Sequence, residues 1–282
     1  SFIELKNGEI NNNTRTNYNR SGGGFGIYCV GSSIKLFNVD ILDNSCGSCT
    51  GDNNLGGGVY LYNNSTSAVF ENVTLAGNSI TGSSNHDGGG IYLTNGSNLN
   101  LVNNIIWGNS PDQIYFNQSN LPDSITISYS DIEGGQDSIV TNDNGTIYWL
   151  DGNFNTNPLF TDADSGDYSL QWGSPCIDVG NPDLDGDGIY WQYDEDDQDL
   201  DGTRMDIGAT PYFQENVVYL SIDSVQGFRE DTILVSVNVT IPDGITFSSS
   251  ELSFDGFHDN LEFLDVKTEG GLIDNAGWSL YV

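Results

Sequence analysis

The chain has 282 residues, of which 40 are acidic and only 7 are basic, so its formal net charge is −33. Binding to nucleic acid or to an anionic membrane surface depends on clustered Lys and Arg, and this composition argues against both partners. No apolar run approaches the ~18 residues of a membrane-spanning helix, so no membrane insertion is expected. The chain has only 5 Ala and 3 Lys, and this low content of helix-favouring residues argues against a mainly helical fold. Hydrophobic residues make up 37% of the chain, which is enough to form a core.

An internal repeat occupies the first half of the chain. Gly triplets at 22–24, 56–58 and 88–90 each precede a short apolar strand, and a second block with two fixed Asn follows about ten residues later. The second block recurs at spacings of 31, 34, 31 and 26 residues, and its five copies start at Ile3, Ile34, Ala68, Leu99 and Ile125. Repeat periods of roughly 20–50 residues are typical of solenoids.

Each copy contains two or three short strands separated by Asn or Gly corners. A single copy cannot bury its apolar face, but stacked copies share a continuous core. An Asn that recurs at a fixed place in each copy is expected to form a ladder of amides at the strand spacing of ~4.8 Å. The Gly triplets are expected to form turns with positive φ.

The Gly-Gly-Gly-Ile-Tyr and Asn-x-x-Ile-x-x-Asn patterns resemble the right-handed parallel β-helix proteins of the pectin-lyase-like superfamily, especially bacterial secreted and surface proteins. The resemblance covers roughly residues 1–210. It implies an all-β fold, a right-handed parallel β-helix solenoid, in a bacterial extracellular or cell-surface protein. That superfamily includes lyases, hydrolases, epimerases and adhesins, so the function stays open. We assign residues 1–170 to the β-helix repeats.

Residues 171–213 are predicted to be an acidic closing segment, because an open stack of strands needs a cap. The stretches at 173–180 and 201–209 resemble the closing segments of bacterial secreted β-helix proteins, where they are structural. We expect Cys176 and Ile177 to lie inside, and Arg204 to pair with neighbouring carboxylates.

The same segment carries the spacing of a calcium-binding loop, in which alternate oxygen ligands converge on one ion and a Gly permits the turn. The predicted ligands are Asp183, Asp185, Asp187, the carbonyl of Ile189 and, at the twelfth position, Asp194. The twelfth residue is usually Glu, and the flanking sequence is not helical, so the loop is not an EF-hand. A second run at 197–202 starts similarly but has Gly208 at its twelfth position. We predict structural calcium at the first loop, with a solvated acidic turn as the alternative.

Residues 214–282 contain five short strand-like runs with turn signals, which predicts a partial β-sandwich. Its runs at 251–255 and 261–266 are similar to the cohesin family of secreted carbohydrate-degrading complexes, and the pattern covers about half of such an Ig-like domain. The resemblance implies a dockerin-type partner if the domain were complete.

Four cysteines are present, at positions 29, 46, 49 and 176. The Cys46-Gly-Ser-Cys49 motif has no second Cys pair or His for metal binding and no βαβ context for redox chemistry. It favours a local disulfide or two free thiols, and the sequence does not choose among the possible pairings.

Two weak sets of catalytic candidates occur. Glu9 and Asp40 hold equivalent places in adjacent copies, point outward by strand alternation, and are expected ~4.8 Å apart, near the spacing of a retaining glycosidase pair. Asp131 lies three strands beyond Asp40, roughly 14 Å away, which is too far to cooperate. A polyuronate lyase would instead need a cation and a base, for which Arg15 and Arg20 share one turn, although the acidic chain would repel a polyanion unless calcium bridged it.

The leading hypothesis is a non-catalytic protein that presents an Asn- and Tyr-rich face to a polysaccharide or a cell-surface glycan. The predicted ligand face contains Tyr28, Tyr60, Tyr62 and Tyr92, with packing between copies as the alternative role. The second hypothesis is a polysaccharide-degrading enzyme, either a calcium-assisted polyuronate lyase or a glycoside hydrolase.

Overall fold

A computed structural model describes residues 2–16, 22–49, 54–63, 68–82, 86–214, 219–222 and 237–240. The chain divides into two compact units, Ser1–Gln214 and Glu215–Val282. In the second unit the structure describes one antiparallel pair, β21 (Tyr219–Ile222) with β22 (Val237–Thr240). The rest of the predicted cohesin-like sandwich lies outside the described residues.

Twenty strands, most of them short, form the regular secondary structure of the first unit among the described residues. In chain order they are β1 (Phe2–Asn11), β2 (Thr14–Thr16), β3 (Gly22–Gly23), β4 (Ile27–Val30), β5 (Ser33–Leu42), β6 (Ser45–Cys49), β7 (Asn54–Leu55), β8 (Val59–Tyr62), β9 (Ala68–Ala76), β10 (Ser79–Gly82), β11 (His86–Asp87), β12 (Ile91–Thr94), β13 (Asn98–Val102), β14 (Ile105–Trp107), β15 (Ile114–Phe116), β16 (Asp123–Ser128), β17 (Asp131–Ile132), β18 (Gly145–Trp149), β19 (Phe160–Asp162) and β20 (Asp167–Leu170). The helices among the described residues are single 3-10 turns at Gln136–Ser138, Ala163–Ser165, Trp191–Tyr193 and Glu195–Asp197. The all-β prediction is confirmed for these residues.

The strands stack in parallel sheets. The large sheet follows the order β1-β5-β9-β13-β16-β18, and β14 and β17 extend it beside β9. The tyrosine sheet has the order β15-β12-β8-β4, and two three-stranded sheets follow β10-β6-β2 and β11-β7-β3. This arrangement, in which each strand pairs with its counterpart from the next repeat, is compatible with a β-helix-like solenoid.

The predicted register of the repeats is confirmed on the large sheet. Ile3 pairs with Ile34, Leu99 pairs with Ala68, and Leu99 also pairs with Ile125. Side chains of one parity point into the stack and form a fully buried core that includes Leu36, Phe70, Leu101 and Ile127.

The Gly triplets are not all equivalent. Gly22 pairs with Asn54, so the first triplet lies two residues earlier in its repeat than the others, and β4 begins at Ile27 rather than at Phe25. The shared turn positions with positive φ are Gly24, Gly56 and Gly88.

Two Asn ladders run across the repeats, as predicted. In the outer ladder, Asn72 donates to Asn38 and Asn38 donates to Asn7, each over 3.1 Å. The inner ladder follows the order Asn13, Asn44, Asn78, Asn109 and Gln113. The distances between successive side-chain amides are 2.7, 2.9, 2.9 and 2.7 Å, and the ladder is buried from Asn44 onward. These bonds satisfy amides that could not otherwise be buried without a free-energy cost.

Residues 158–214, which we name the flanking segment, include the predicted closing segment 171–213. They lie along the outer face of the large sheet, where the main-chain N–H of Ala209 donates to Thr74 over 2.9 Å and that of Asn181 donates to Asn103 over 2.7 Å. A second hydrophobic core forms there around Ile105, Leu170, Cys176 and Ile207, with Ile177 partly buried against it. Outward-facing Ile105 belongs to this second core, so the segment buries apolar surface of the large sheet.

Candidate functional site

The flanking segment brings the predicted calcium ligands partly together. One carboxylate oxygen each from Asp183, Asp185 and Asp187 lies within 4.8 Å of the others. Main-chain N–H groups within the turn donate to these carboxylates, including Gly188 to Asp183 over 3.2 Å and Ile189 to Asp187 over 2.7 Å. Three convergent carboxylates in an all-oxygen turn are suited to a hard cation such as calcium.

Asp194, the predicted twelfth-position ligand, does not belong to this group. A side-chain hydrogen bond with Asp196 is the main cause that raises the pKa of Asp194 to about 6. The residues after Ile189 form a 3-10 turn at Trp191–Tyr193 before the chain reaches the twelfth position. The structure thus brings together three of the predicted ligand residues and leaves Asp194 beside them.

Asp197, the first residue of the second loop-like run, lies against the same turn. Asp197 has 0% exposure, and its Oδ1 accepts a hydrogen bond of 2.5 Å from the N–H of Leu184, between two members of the acidic turn. Burial, and then the charges of Asp183 and Asp185, raise the pKa of Asp197. The contact forms because the chain folds back between Leu184 and Asp197, and the spacing of residues along one loop does not indicate this.

A second acidic group lies deeper in the flanking segment. Oxygens of Asp178, Asp199 and Asp206 are also within 4.8 Å of one another. Burial raises the pKa of Asp199 to about 8 and that of Asp206 to about 7. The N–H bonds that Asp206 accepts from Asp178 and Tyr212 act to lower its pKa, but burial outweighs them, so this group can keep a proton near neutral pH.

The expectation for Arg204 is wrong. Its guanidinium donates to the carbonyl oxygens of Gly180, over 2.6 Å, and Val179, over 3.2 Å, and lies 5.8 Å from the ring centroid of Tyr129. Among the described residues the ion pairs are those of Lys6 with Glu4 and Lys35 with Glu71, on the large sheet. Arg204 therefore binds main-chain carbonyls rather than a carboxylate, although the charge of Asp178 still acts on it at longer range.

The predicted tyrosine face is a stacked column. Successive rings of Tyr28, Tyr60, Tyr92 and Tyr115 lie nearly parallel, with centroid distances of 4.9, 5.4 and 5.4 Å. Because strand pairing holds these side chains in register, each inner ring stacks on its two neighbouring rings, one on each face. Tyr92 is only 2% exposed, so it is not part of a ligand face.

An exposed apolar patch does remain at the β4 end of the tyrosine sheet. Tyr28 is 60% exposed, Val30 is 45% exposed and Tyr62 is 38% exposed. Tyr28 and Val30 share the outer side of β4, and Val30 pairs with Tyr62 of β8. We name these three residues the tyrosine patch; the sequence identified its two rings but not Val30.

The candidate catalytic carboxylates are neighbours in register, since Glu9 pairs with Asp40. Glu9 is exposed, whereas the Oδ2 of Asp40 accepts a hydrogen bond of 3.1 Å from Thr210 of the flanking segment. Burial is the main cause that raises the pKa of Asp40. Asp131 is fully buried three strands beyond Asp40 and does not join the pair.

The remaining candidates are less informative. Arg15 is exposed on β2, and Arg20 lies outside the described residues. Cys46 is disulfide-bonded, whereas Cys29 and Cys176 are buried free thiols. Among the described residues, no helix has the length and apolar character needed to cross a membrane.

Comparisons with protein-family models, with curated proteins and with solved structures gave no match to this chain.

Proposed function

We propose that this chain is a non-catalytic, secreted or cell-surface protein of bacterial origin that binds glycans. The proposal includes the finer fold assignment, a right-handed parallel β-helix of the pectin-lyase-like type. The observation that carries the function is the tyrosine patch, because two exposed aromatic rings and Val30 form a contiguous apolar surface on a rigid sheet. A contiguous exposed apolar surface supports a binding role.

The geometry favours contact with one face of a sugar ring. Tyr28 stacks on Tyr60 through one face, and it belongs to the edge strand of the tyrosine sheet, so its other face is available for a ligand. Tyr offers a large, rigid and amphipathic surface at a low cost in side-chain entropy. The net charge of −33 disfavours polyanions, so a neutral glycan is the preferred class of ligand.

Calcium has a structural role in this proposal. The turn formed by Asp183, Asp185 and Asp187 lies in the flanking segment, and that segment covers the outer face of the large sheet. An ion in the turn would reduce repulsion between carboxylates and stabilise the segment. No calcium-dependent chemistry is required for glycan binding.

The test compares two exposed tyrosines. A glycan array identifies a ligand, and calorimetry then measures its affinity for the wild-type chain and for Tyr28→Ala and Tyr148→Ala. Tyr148 is 53% exposed on β18 of the large sheet and serves as the matched control. We expect at least a tenfold loss of affinity for Tyr28→Ala and an unchanged affinity for Tyr148→Ala; equal effects of the two substitutions would contradict the proposal.

The alternative is a polysaccharide-degrading enzyme, and the register pairing of Glu9 with Asp40 is the observation that favours it. In this alternative the two carboxylates act as a glycoside hydrolase pair, whereas the lyase version depends on Arg15, Arg20 and calcium. New reducing ends, or unsaturated products detected by ultraviolet absorbance, would support the alternative, and loss of these products in Glu9→Gln would assign them to the pair.

The second unit adds a separate proposal. The similarity of residues 214–282 to the cohesin family suggests a dockerin-type partner for a complete domain. Binding of a dockerin module to this chain would support this proposal, and absence of binding would contradict it.

A further inference from the structure

We propose that the flanking segment, residues 158–214, is a strap that opens from the outer face of the large sheet while the stack of repeats stays folded. Opening uncovers the outward row of the sheet that contains Asp40 and Thr74, which the segment contacts through Thr210 and Ala209. The inference goes beyond the proposed function, and it depends on neither a glycan nor calcium.

The first argument is that the flanking segment has a secondary structure of its own. Its strands, β19 and β20, pair with each other in a separate antiparallel sheet, and its other regular elements are single 3-10 turns. Among the described residues, no strand of the segment pairs with a strand of the stack. The parallel sheets therefore keep their strand pairs when the segment leaves.

The second argument is a break in the outer Asn ladder at the place where the segment docks. The two earlier rungs of this ladder are joined by amide bonds of 3.1 Å each. Asn103 occupies the next rung beside Asn72, because the preceding pair, Val102 with Glu71, is in register. The Oδ1 of Asn103 instead accepts the main-chain N–H of Asn181, which belongs to the flanking segment, over 2.7 Å.

This diversion leaves two buried amide atoms without a partner among the described residues. They are Nδ2 of Asn103 and Oδ1 of Asn72, in side chains that are 0% and 2% exposed. A buried amide atom without a hydrogen bond costs free energy. The two atoms are the donor and the acceptor of the missing rung, so release of Asn181 allows Asn103 to rotate and complete the ladder. The rung gained on opening offsets part of the docking contacts that are lost.

The third argument is backbone strain at the entry to the segment. The N–H of Thr156 donates to the buried Asp131 over 3.1 Å and anchors the chain just before the segment begins. Three residues later, Leu159 has a φ of 54°, in the left-handed region that bulky side chains rarely adopt. Strain of this kind persists where surrounding contacts enforce it. Opening about residues 157–159 relieves the strain and leaves the anchor in place.

Cys176 is a probe of opening that the chain already contains. Its thiol is free, 0% exposed, and hydrogen-bonded to Asp131 across the interface between the flanking segment and the large sheet. A thiol reagent such as DTNB can reach this side chain only in states that expose it. Mass spectrometry of the labelled peptides separates Cys176 from Cys29, the other buried free thiol.

The experiment measures the labelling of Cys176 in the native full chain, in EDTA and without reductant, and compares it with hydrogen exchange at three main-chain amides. The N–H groups of Ala209 and Asn181 donate to the large sheet, whereas Leu101 lies in the buried strand β13. We expect Cys176, Ala209 and Asn181 to report one opening equilibrium, with Leu101 at least tenfold better protected. A common rate for all four groups would show that the strap and the stack unfold together, and would overturn the proposal. Labelling of Cys176 without matching exchange at Ala209 and Asn181 would show a local movement and would also overturn it.

Two glycine variants test the part played by the ladder. Asn72 and Asn38 both have a φ of 52°, so Gly keeps the main-chain conformation at each position. Asn72→Gly removes the acceptor that Asn103 needs in the open state, and we expect Cys176 to be labelled at least threefold more slowly. Asn38→Gly removes bonds that exist in both states, and we expect less than a twofold change. Faster labelling in Asn72→Gly, or equal rates in the two variants, would overturn the proposal.

Discussion

The thiol of Cys176 donates a hydrogen bond to Oδ2 of Asp131 over a distance of 3.5 Å. Both side chains are fully buried, and the N–H of Thr156 donates to the other oxygen of Asp131 over 3.1 Å. This contact joins the flanking segment to β17 of the large sheet. Burial raises the pKa of Asp131 to about 7, and the charge of Glu133 acts in the same direction.

The pair predicts a pH dependence of stability. The folded-state pKa of Asp131 lies above its unfolded value of ~3.9, so the folded state binds more protons and loses stability as the pH rises from ~4 to ~7. Asp131→Asn removes the buried charge and keeps an acceptor for Thr156. At about pH 8 we expect its free energy of unfolding in urea to exceed that of wild type by ~1–3 kcal/mol, with little gain near pH 4. A loss of the same size at both pH values would contradict this.

The inner Asn ladder predicts a large effect of a single amide. Asn78 is fully buried, donates to Asn109 and to the carbonyl of Ile41, and accepts from Asn44. Asn78→Ala leaves these partners unpaired, and we expect the free energy of unfolding to fall by ~2–4 kcal/mol. The control is Asn11→Ala, at an exposed residue whose amide donates to Glu9, with an expected change below ~0.5 kcal/mol. Similar midpoints for the two variants in urea would refute a stabilising role for the ladder.

Close packing of successive repeats predicts a difference between two glycines. A Cβ on Gly57 would lie 2.3 Å from the carbonyl oxygen of Gly89, whereas a Cβ on Gly47 would meet nothing within 4 Å. Gly57→Ala is therefore expected to lower the free energy of unfolding by more than ~2 kcal/mol, and Gly47→Ala is expected to change it by less than ~1 kcal/mol. Thermal unfolding monitored by circular dichroism measures both; equal melting temperatures would show that the repeats can separate to admit a methyl group.

The sequence was sufficient to predict the features that repeat. A fixed spacing sets strand register, so the pairing of Glu9 with Asp40 and the Asn ladders follow from aligning the copies. The local spacing of Asp183, Asp185 and Asp187 also sufficed to bring three carboxylates together.

Contacts between distant, non-repeating residues could not be predicted in this way. The contact of Thr210 with Asp40 spans 170 residues and depends on the path of the flanking segment. The same path brings Asp197 to the main-chain N–H of Leu184 and directs Arg204 to carbonyl groups. For Tyr92 the sequence leaves open a place in the ligand face or a role in packing between copies, and stacking on neighbouring rings buries it.

The central claim is that the chain binds a glycan without cleaving it. The most direct measurement incubates the chain with neutral and acidic polysaccharides in calcium, and quantifies both the retained protein and the released reducing or unsaturated ends. The account predicts retention on a neutral polysaccharide, lost in Tyr28→Ala and kept in Tyr148→Ala, with no released products. Released ends that disappear in Glu9→Gln, or retention that is unaffected by Tyr28→Ala, would contradict it.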